Sequence, residues 1–395
     1  MKLIVNAKVE RVSGAPLPCG AVLVDGAKIA AVGDHLGAPA GTEIIEARGL
    51  TLTPGLIDAH THIATWTEAA LYGLYDYNEM TNPVTPDLRI LDAVYPLDPN
   101  IAEARSGGVT CVQTLPGSAN VIGGQGAIIK LKETHVVDHM LVKAPSCMKA
   151  AFGENPVRVY KANGNKTPTT RMGNAAVMRG ALQNARNYMN KKDFYEAQQE
   201  RKDSFDVKLD MEALCMVLRG EIPLSVHAHR CDDICTAARI AEEFGIGFTI
   251  EHCTEGHLIA PWLAEHHVRA AVGPTFTGAE KLELKNKSWD TLAVLRDAGV
   301  HLCIITDHPV IPLYGLILCA SLAHRSGLTE AEALRAVTLS GAEHLGIDDR
   351  VGSIDAGKDA DLVLWDTDPL DSRAHVVMTM IDGKVEYRAY QTPLV

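Results

Sequence analysis

The sequence predicts an α/β protein, a (β/α)8 TIM-like barrel with a small sheet domain built from both chain ends. Three observations carry this. Eight short apolar runs alternate with amphipathic stretches through the middle of the chain. Short β-rich segments separated by Gly, Pro and Asp turns occupy both termini. Several of the central runs end on His or Asp, as they would in a barrel whose working face lies at the strand C-termini.

The chain is 395 residues long, 47% hydrophobic and 22% charged, which suits one barrel with an accessory domain. At the N-terminal end, Lys2 to Val5, Ala21 to Val24, Lys28 to Val32 and Glu43 to Glu46 read as strands. The same texture returns in Asp361 to Trp365 and in Val376 to Val385, where Asp382-Gly383 is a hairpin signal. The barrel strands in order are Leu56 to Ala59, Val109 to Leu115, Gly126 to Leu131, Leu141 to Phe152, Ile222 to Val226, Phe248 to Ile250, Val268 to Val272 and His301 to Ile305. Asp233 to Phe244 and Ser288 to Ala298 read as helices between successive strands. After Leu328, the Thr329-x-x-Glu332 capping box opens a helix that buries Ala333, Leu334 and Val337. More than sixty residues separate Glu154 from Glu221, about twice a standard βα connection. Met178 to Tyr188 and Phe194 to Gln199 look helical within it, and Arg158 to Arg171 is rich in Gly, Asn, Pro and Thr. Placed after a strand's C-terminal end, this insertion either covers the site or pairs with another subunit; a homo-oligomer is expected.

The longest apolar stretch, Leu313 to Ala323, runs about eleven residues, short of the roughly 18 that span a bilayer. The first residues lack a long apolar region with a cleavage site, so a cytoplasmic protein is expected. A net charge of -12 without a basic block argues against nucleic acid or an anionic membrane as a principal partner; it bears on solubility and does not assign a substrate, although a small-molecule substrate is expected. Nine cysteines with no CxxC read as reduced thiols. Cys231 and Cys235 share a helix face, where two thiols make an incomplete zinc site.

Side chains two apart on a strand point the same way, so His60 and His62 can aim two imidazoles at one ion. Among sixteen histidines an isolated pair is weak, but His227 and His229 follow Leu224-Ser225-Val226, His252 follows Ile250-Glu251, and Asp307 follows Ile304-Ile305-Thr306. Imidazoles and carboxylates suit zinc, and also manganese, iron or cobalt, as one or two divalent ions. Bound water made acidic by such an ion would be the nucleophile, and Asp307 is placed to take its proton. The plain alternative for Asp307 is a helix cap. His308 is either a supporting residue or packing.

Gln125, in Gly123-Gly124-Gln125-Gly126, stands where backbone can approach a ligand, although a tight turn explains the glycines as well. Arg158, Arg171 and Arg230 could each bind a substrate carboxylate, against the alternative of surface ion pairs. Tyr72, Tyr75 and Tyr77 could line a pocket or simply pack.

Pro54-Gly55-Leu56-Ile57-Asp58-Ala59-His60-Thr61-His62, the later histidines, Thr306-Asp307 and the closing run Val351 to Val363 together resemble the amidohydrolase superfamily, most closely its imidazolonepropionase-like branch. The resemblance covers nearly the whole chain. It implies a metal-dependent barrel over residues 54–351, with an insertion at about 155–215, and a composite β-sandwich from 1–53 plus 352–395. It also implies hydrolysis of amide or related C–N bonds. By position, His60 and His62 would bind one metal, His227 and His252 another, and Asp307 would bind metal as well as carry the proton. His229 is assigned to the substrate pocket, because relatives with a His-Ala pair ligate through the first His. Many relatives bridge two metals with a carboxylated Lys or a Glu from the fourth strand. Glu154, at the strand end, is preferred here over Lys149, within the strand. Amide, cyclic amide or dipeptide-like substrates lead; deamination of a heterocycle is the enzymatic alternative and a non-catalytic scaffold the third.

Overall fold

The computed structural model describes residues 1–65, 76–164, 166–197 and 204–389. Strands β1 (Lys2–Val9), β2 (Leu17–Asp25), β3 (Lys28–Gly33), β4 (Glu43–Glu46) and β5 (Thr51–Pro54) lead into ten central strands. These are β6 (Leu56–Thr61), β7 (Val109–Thr114), β8 (Ile122–Gln125), β9 (Ala127–Lys130), β10 (Leu141–Lys143), β11 (Met148–Ala151), β12 (Leu224–Ala228), β13 (Phe248–His252), β14 (Ala270–Val272) and β15 (Leu302–Ile304). The chain then returns in β16 (Leu362–Trp365), β17 (Val376–Ile381) and β18 (Lys384–Arg388).

The two chain ends share a sheet. Among the described residues it has eight strands in the order β18-β17-β16-β5-β1-β2-β3, with β4 on β1. Antiparallel β5 and β16 form the seam, with Leu362 opposite Pro54 and Trp365 Nε1 donating to Thr53 Oγ1 at 2.9 Å. Ile4, Val22, Leu52, Leu364 and Met378 fill its core, each fully buried aliphatic side chain contributing about 1.5–3 kcal/mol. Asp382 and Gly383 both take positive φ, 48° and 73°, the conformation of a two-residue hairpin turn. A Cβ at Gly383 would collide with the Gly26 carbonyl. These strands form one mixed sheet, where two stacked sheets were expected.

The central strands also depart from eight parallel strands in one closed ring. Their ladders divide into a four-stranded sheet, β10-β9-β7-β6, and a six-stranded one, β15-β14-β13-β12-β11-β8. β6–β7 and β11 through β15 are parallel, whereas β9 runs against β7 and β8 against β11. No helix lies between Thr114 and Ala127, so nothing carries the chain back for a parallel pairing. Gly126 marks the change of sheet: its N–H bonds the Cys147 carbonyl and its carbonyl accepts from Ser146 N–H. The expected strand Leu141 to Phe152 is two strands, interrupted at Pro145, which has no N–H to donate.

Helices cover the parallel strands. Cys231–Phe244 buries Ile234, Ala237, Ala238 and Ala241 on one face, and the Thr329/Glu332 capping box is formed. The long connection is helical over Glu154–Ala162, Arg171–Glu196 and Leu209–Leu218, so Arg158 stands in a helix where the Gly- and Pro-rich composition suggested a loop. Thr170 caps the second helix at Gly173 N–H, 3.0 Å, and the helix buries Ala175, Met178, Leu182 and Ala185 on one face; this one helix takes in the expected Met178 to Tyr188 and the start of the expected Phe194 to Gln199, whose last two residues lie outside the described ones. All nine cysteines are free. Among the described residues no helix is long and apolar enough to cross a membrane.

Candidate metal centre

The end of β6 is tied to the segment after β15 by one buried carboxylate. Asp58 accepts from His60 N–H at 3.0 Å, from Thr306 N–H at 2.9 Å and from Thr306 Oγ1 at 2.6 Å. His62 N–H donates to the His308 carbonyl at 2.8 Å. This lacing carries Asp307 to the two histidines: its Oδ1 lies 3.5 Å from His60 Nε2 and 3.4 Å from His62 Nε2. Asp307 and His252 hold left-handed backbone, φ 54° and 73°, a conformation that costs about 1–3 kcal/mol and gathers at functional sites.

Six donor residues fall into two groups. His60, His62 and Asp307 form one, and His227, His229 and His252 the other; within each, the ligand atoms lie within 4.8 Å of one another. The groups adjoin, since the rings of His60 and His252 are 4.8 Å apart. Hydrogen bonds on the far ring nitrogens fix the tautomers. His62 Nδ1 lies 2.8 Å from the Leu115 carbonyl and His252 Nδ1 2.8 Å from the Gly273 carbonyl. A carbonyl only accepts, so each Nδ1 carries the proton and each Nε2 keeps its lone pair. His229 Nδ1 is held by Thr254 Oγ1 at 2.8 Å. His60 Nδ1 faces Glu251 Oε2 at 3.2 Å, and Glu251 is steadied by Thr249 and His344, the outer support that ligating histidines use.

The donor set fits a divalent cation. The Nε2 atoms of His229 and His252 are buried and lack a hydrogen-bond partner, a costly state for polar atoms unless a ligand meets them. Burial pushes His60 down to about 3 and His252 to about 4, and holds His227 and His229 well below the usual range. These imidazoles are neutral at pH 7, as ligation requires. Burial alone would raise Asp307, but His252, His62 and His60 hold it below the ordinary carboxylate range.

Glu154 stands in neither donor group. It opens a helix whose first N–H donates to Glu283 Oε2 at 2.9 Å. Lys149, 1% exposed, instead reaches in from mid-strand, with Nζ 3.0 Å from His60 Nε2. His229, expected in the substrate pocket, shares its group with His227 and His252. Arg171 is engaged by Asp233 at 2.9 Å and Arg230 by its near neighbour Asp232 at 2.9 Å, so each is spent on an ion pair. Gln125 points away, donating to the Pro86 carbonyl at 3.0 Å. Tyr77 stacks on His62 with centroids 4.8 Å apart; Tyr72 and Tyr75 lie outside the described residues. Sequence reasoning passed over Glu251, Glu283 and Asn155. Of these only Glu251, one residue before His252 at a strand end, carried a positional signal.

Several known proteins are similar to this chain. The tasK amidohydrolase of Hapsidospora irregularis is 31% identical over 392 residues, 93% of this chain, while the chain spans 40% of that relative's length. The imidazolonepropionase of Paracidovorax citrulli (strain AAC00-1) is 27% identical over 346 residues, covering 80% of this chain and 76% of the relative. A crystal structure of an amidohydrolase from Thermotoga maritima MSB8 superposes with a TM-score of 0.94 at 44% identity, over 98% of this chain and 100% of that one. A model of the amidohydrolase family matches residues 51–385. With that match running from β5 into β18, the chain belongs to the amidohydrolase family.

Proposed function

We propose that the protein is a metal-dependent amidohydrolase that cleaves the C–N bond of an amide, a cyclic amide or a dipeptide-like substrate, with Asp307 as proton carrier. That it is a hydrolase acting on C–N bonds follows from its family and its relatives. The observation that carries the rest is the pair of adjoining donor groups with neutral imidazoles and inward Nε2 lone pairs.

His60, His62 and Asp307 would hold one ion and His227, His229 and His252 a second, with zinc the first choice for such donors. A divalent ion there lowers the pKa of water toward neutrality and polarises a carbonyl. Asp307, ionised and flanked by His60 and His62, accepts the proton of the attacking water and returns it to the departing nitrogen. The water oxygen bonds to the carbonyl carbon, and the C–N bond breaks. Lys149 is better placed than Glu154 to bridge the two groups, since its Nζ already lies at His60. Burial lowers its pKa, favouring the free amine that carboxylation needs.

Metal analysis of the wild type and of His60→Ala, combined with a panel of N-acyl amino acids, dipeptides, hydantoin-like rings and aminated heterocycles, tests the reading. Wild type should carry one or two divalent ions, lose metal on the substitution, and open amides without releasing ammonia. Metal-free wild type that hydrolyses nothing in the panel with added zinc or manganese would sink it; ammonia from the heterocycles would replace it with deamination.

A further inference from the structure

The pocket over the donor groups, of about 460 Å³, is lined by His62, His227 and Asp307 and also by Asn155, Arg158 and Lys281. The helix Glu154–Ala162 supplies Asn155, Arg158 and Val159 to it, positions i, i+3 and i+4 on one helical face. Arg158 is exposed and has no hydrogen bond or ion pair among the described residues. Its neighbours differ: Arg171, Arg179 and Arg230 each meet a carboxylate at 2.9, 2.6 and 2.9 Å. Lys281 comes from the loop after β14, and the carboxylate nearest to it, Glu283, stands 4.0 Å away. Among the described residues Asp307 is the one acid in the lining, and it faces His60 and His62. Of the two cations in the lining, Arg158 thus has no carboxylate partner among the described residues, and Lys281 has only Glu283, at 4.0 Å, which Arg171 also approaches at 3.6 Å. Beside them Asn155 Oδ1 is buried and unpartnered, while Met80, Val159, Pro309 and Val310 make the lining partly apolar.

We propose that the substrate carries a carboxylate, gripped by Arg158 and Lys281 while its amide lies against His62, His227 and Asp307. The apolar lining takes its side group, which describes an N-acyl amino acid or dipeptide with an apolar side chain. A guanidinium holds a carboxylate through two parallel N–H bonds, and a lysine adds a point charge. The proposal rests on the hydrolase reading above and narrows its substrate.

The test compares N-acetyl-leucine with N-acetyl-3-methylbutylamine, which has the same skeleton without the carboxylate, using zinc- or manganese-loaded protein. The wild type should prefer the acid by about 10- to 100-fold in kcat/KM, mostly through KM. Arg158→Met and Lys281→Met should each cut that preference about tenfold, and Arg158→Lys should restore part of it. Equal use of the two compounds, or parallel loss of both in the variants, would overturn the proposal. Calorimetric binding of 4-methylpentanoate against 4-methylpentanol separates this from failure of the hydrolase reading. If no amide is cleaved but carboxylate binding weakens about tenfold in Arg158→Met, the grip stands and the hydrolysis falls. Carboxylate binding indifferent to that substitution overturns the grip.

Discussion

Two lysines, Lys130 and Lys149, are each 1% exposed, and the molecule uses them in opposite ways. Lys130 ends β9 inside a cage of carboxylates, with Asp359 at 2.8 Å, Asp361 at 3.0 Å and Asp382 also in contact. Those aspartates belong to the sheet made by the chain ends, so the cage bolts that sheet to the central strands. Burial works against the charge on Lys130, but Asp361, Asp359 and Asp382 prevail and raise its pKa. Lys149 has no carboxylate in ion-pairing range among the described residues. It faces the neutral ring of His60, and burial lowers its pKa. A buried lysine with partners keeps its charge and ties elements together; one without them is driven toward the free amine, a costly buried polar group that a structural role does not explain.

The contrast can be broken most sharply by removing each lysine. Lys149→Met should lower kcat/KM about a thousandfold, the several kcal/mol a catalytic metal supplies. Its denaturation midpoint should stay level or rise, because a buried amine with no carboxylate partner among the described residues has gone. An active Lys149→Met enzyme, or one that melts early, would put the two lysines in the same class. Lys130→Met should do the reverse: a loss of about 3–5 kcal/mol in urea unfolding, from the buried Asp361 left without a cation while Asp359 keeps Lys28 and Arg350 and Asp382 keeps Lys132, with turnover per folded molecule retained. Asp58→Asn sits between them. It keeps the side chain's shape but weakens the lacing of His60 to Thr306, so metal affinity measured by chelator competition should fall about 10- to 100-fold with little change in fold.

The smallest effect is in pH. Burial would raise Asp359, but Lys130 and Lys28 hold it down at about 2, below its ordinary 3.8. The stability this gives is complete above 3.8 and disappears as pH falls through about 2. Lys130 has the opposite sign: with its pKa raised, its contribution is complete below the ordinary 10.5 and is lost above it. Urea midpoints measured from neutral pH downward should fall in the wild type and fall less steeply in Lys130→Met. Identical acid slopes would remove Lys130 from the cage.

The histidine positions were legible in the sequence because strand periodicity is rigid: residues 60 and 62, or 227 and 229, must face one way wherever the strand lies. That Lys149 and not Glu154 lies at His60 was not, because reach and a helix start decide it. Four methylenes let Lys149 extend from mid-strand to the imidazole at the strand end, while Glu154 was absorbed into the first turn of a helix that Glu283 caps. Terminal strands were readable from turn chemistry, as at Asp382-Gly383. The antiparallel course of β9 was hidden, because an apolar run carries no direction, and the fates of Arg171 and Arg230 depended on which acids the folded chain set beside them. Arg158 was visible as a residue type, but its solitude was not.

The lacing by Asp58 has a consequence for assembly. Its acceptor bonds to Thr306 join residues 248 apart in the chain, so the first donor histidines leave the ribosome long before the residue that sets them beside Asp307. Contacts of such separation form late, after the loop between them has closed. The centre is thus a checkpoint on completeness, since a chain halted anywhere before Thr306 carries imidazoles yet cannot assemble the six-donor set. Capture of an ion by the proposed centre would then report that the last central strand has docked.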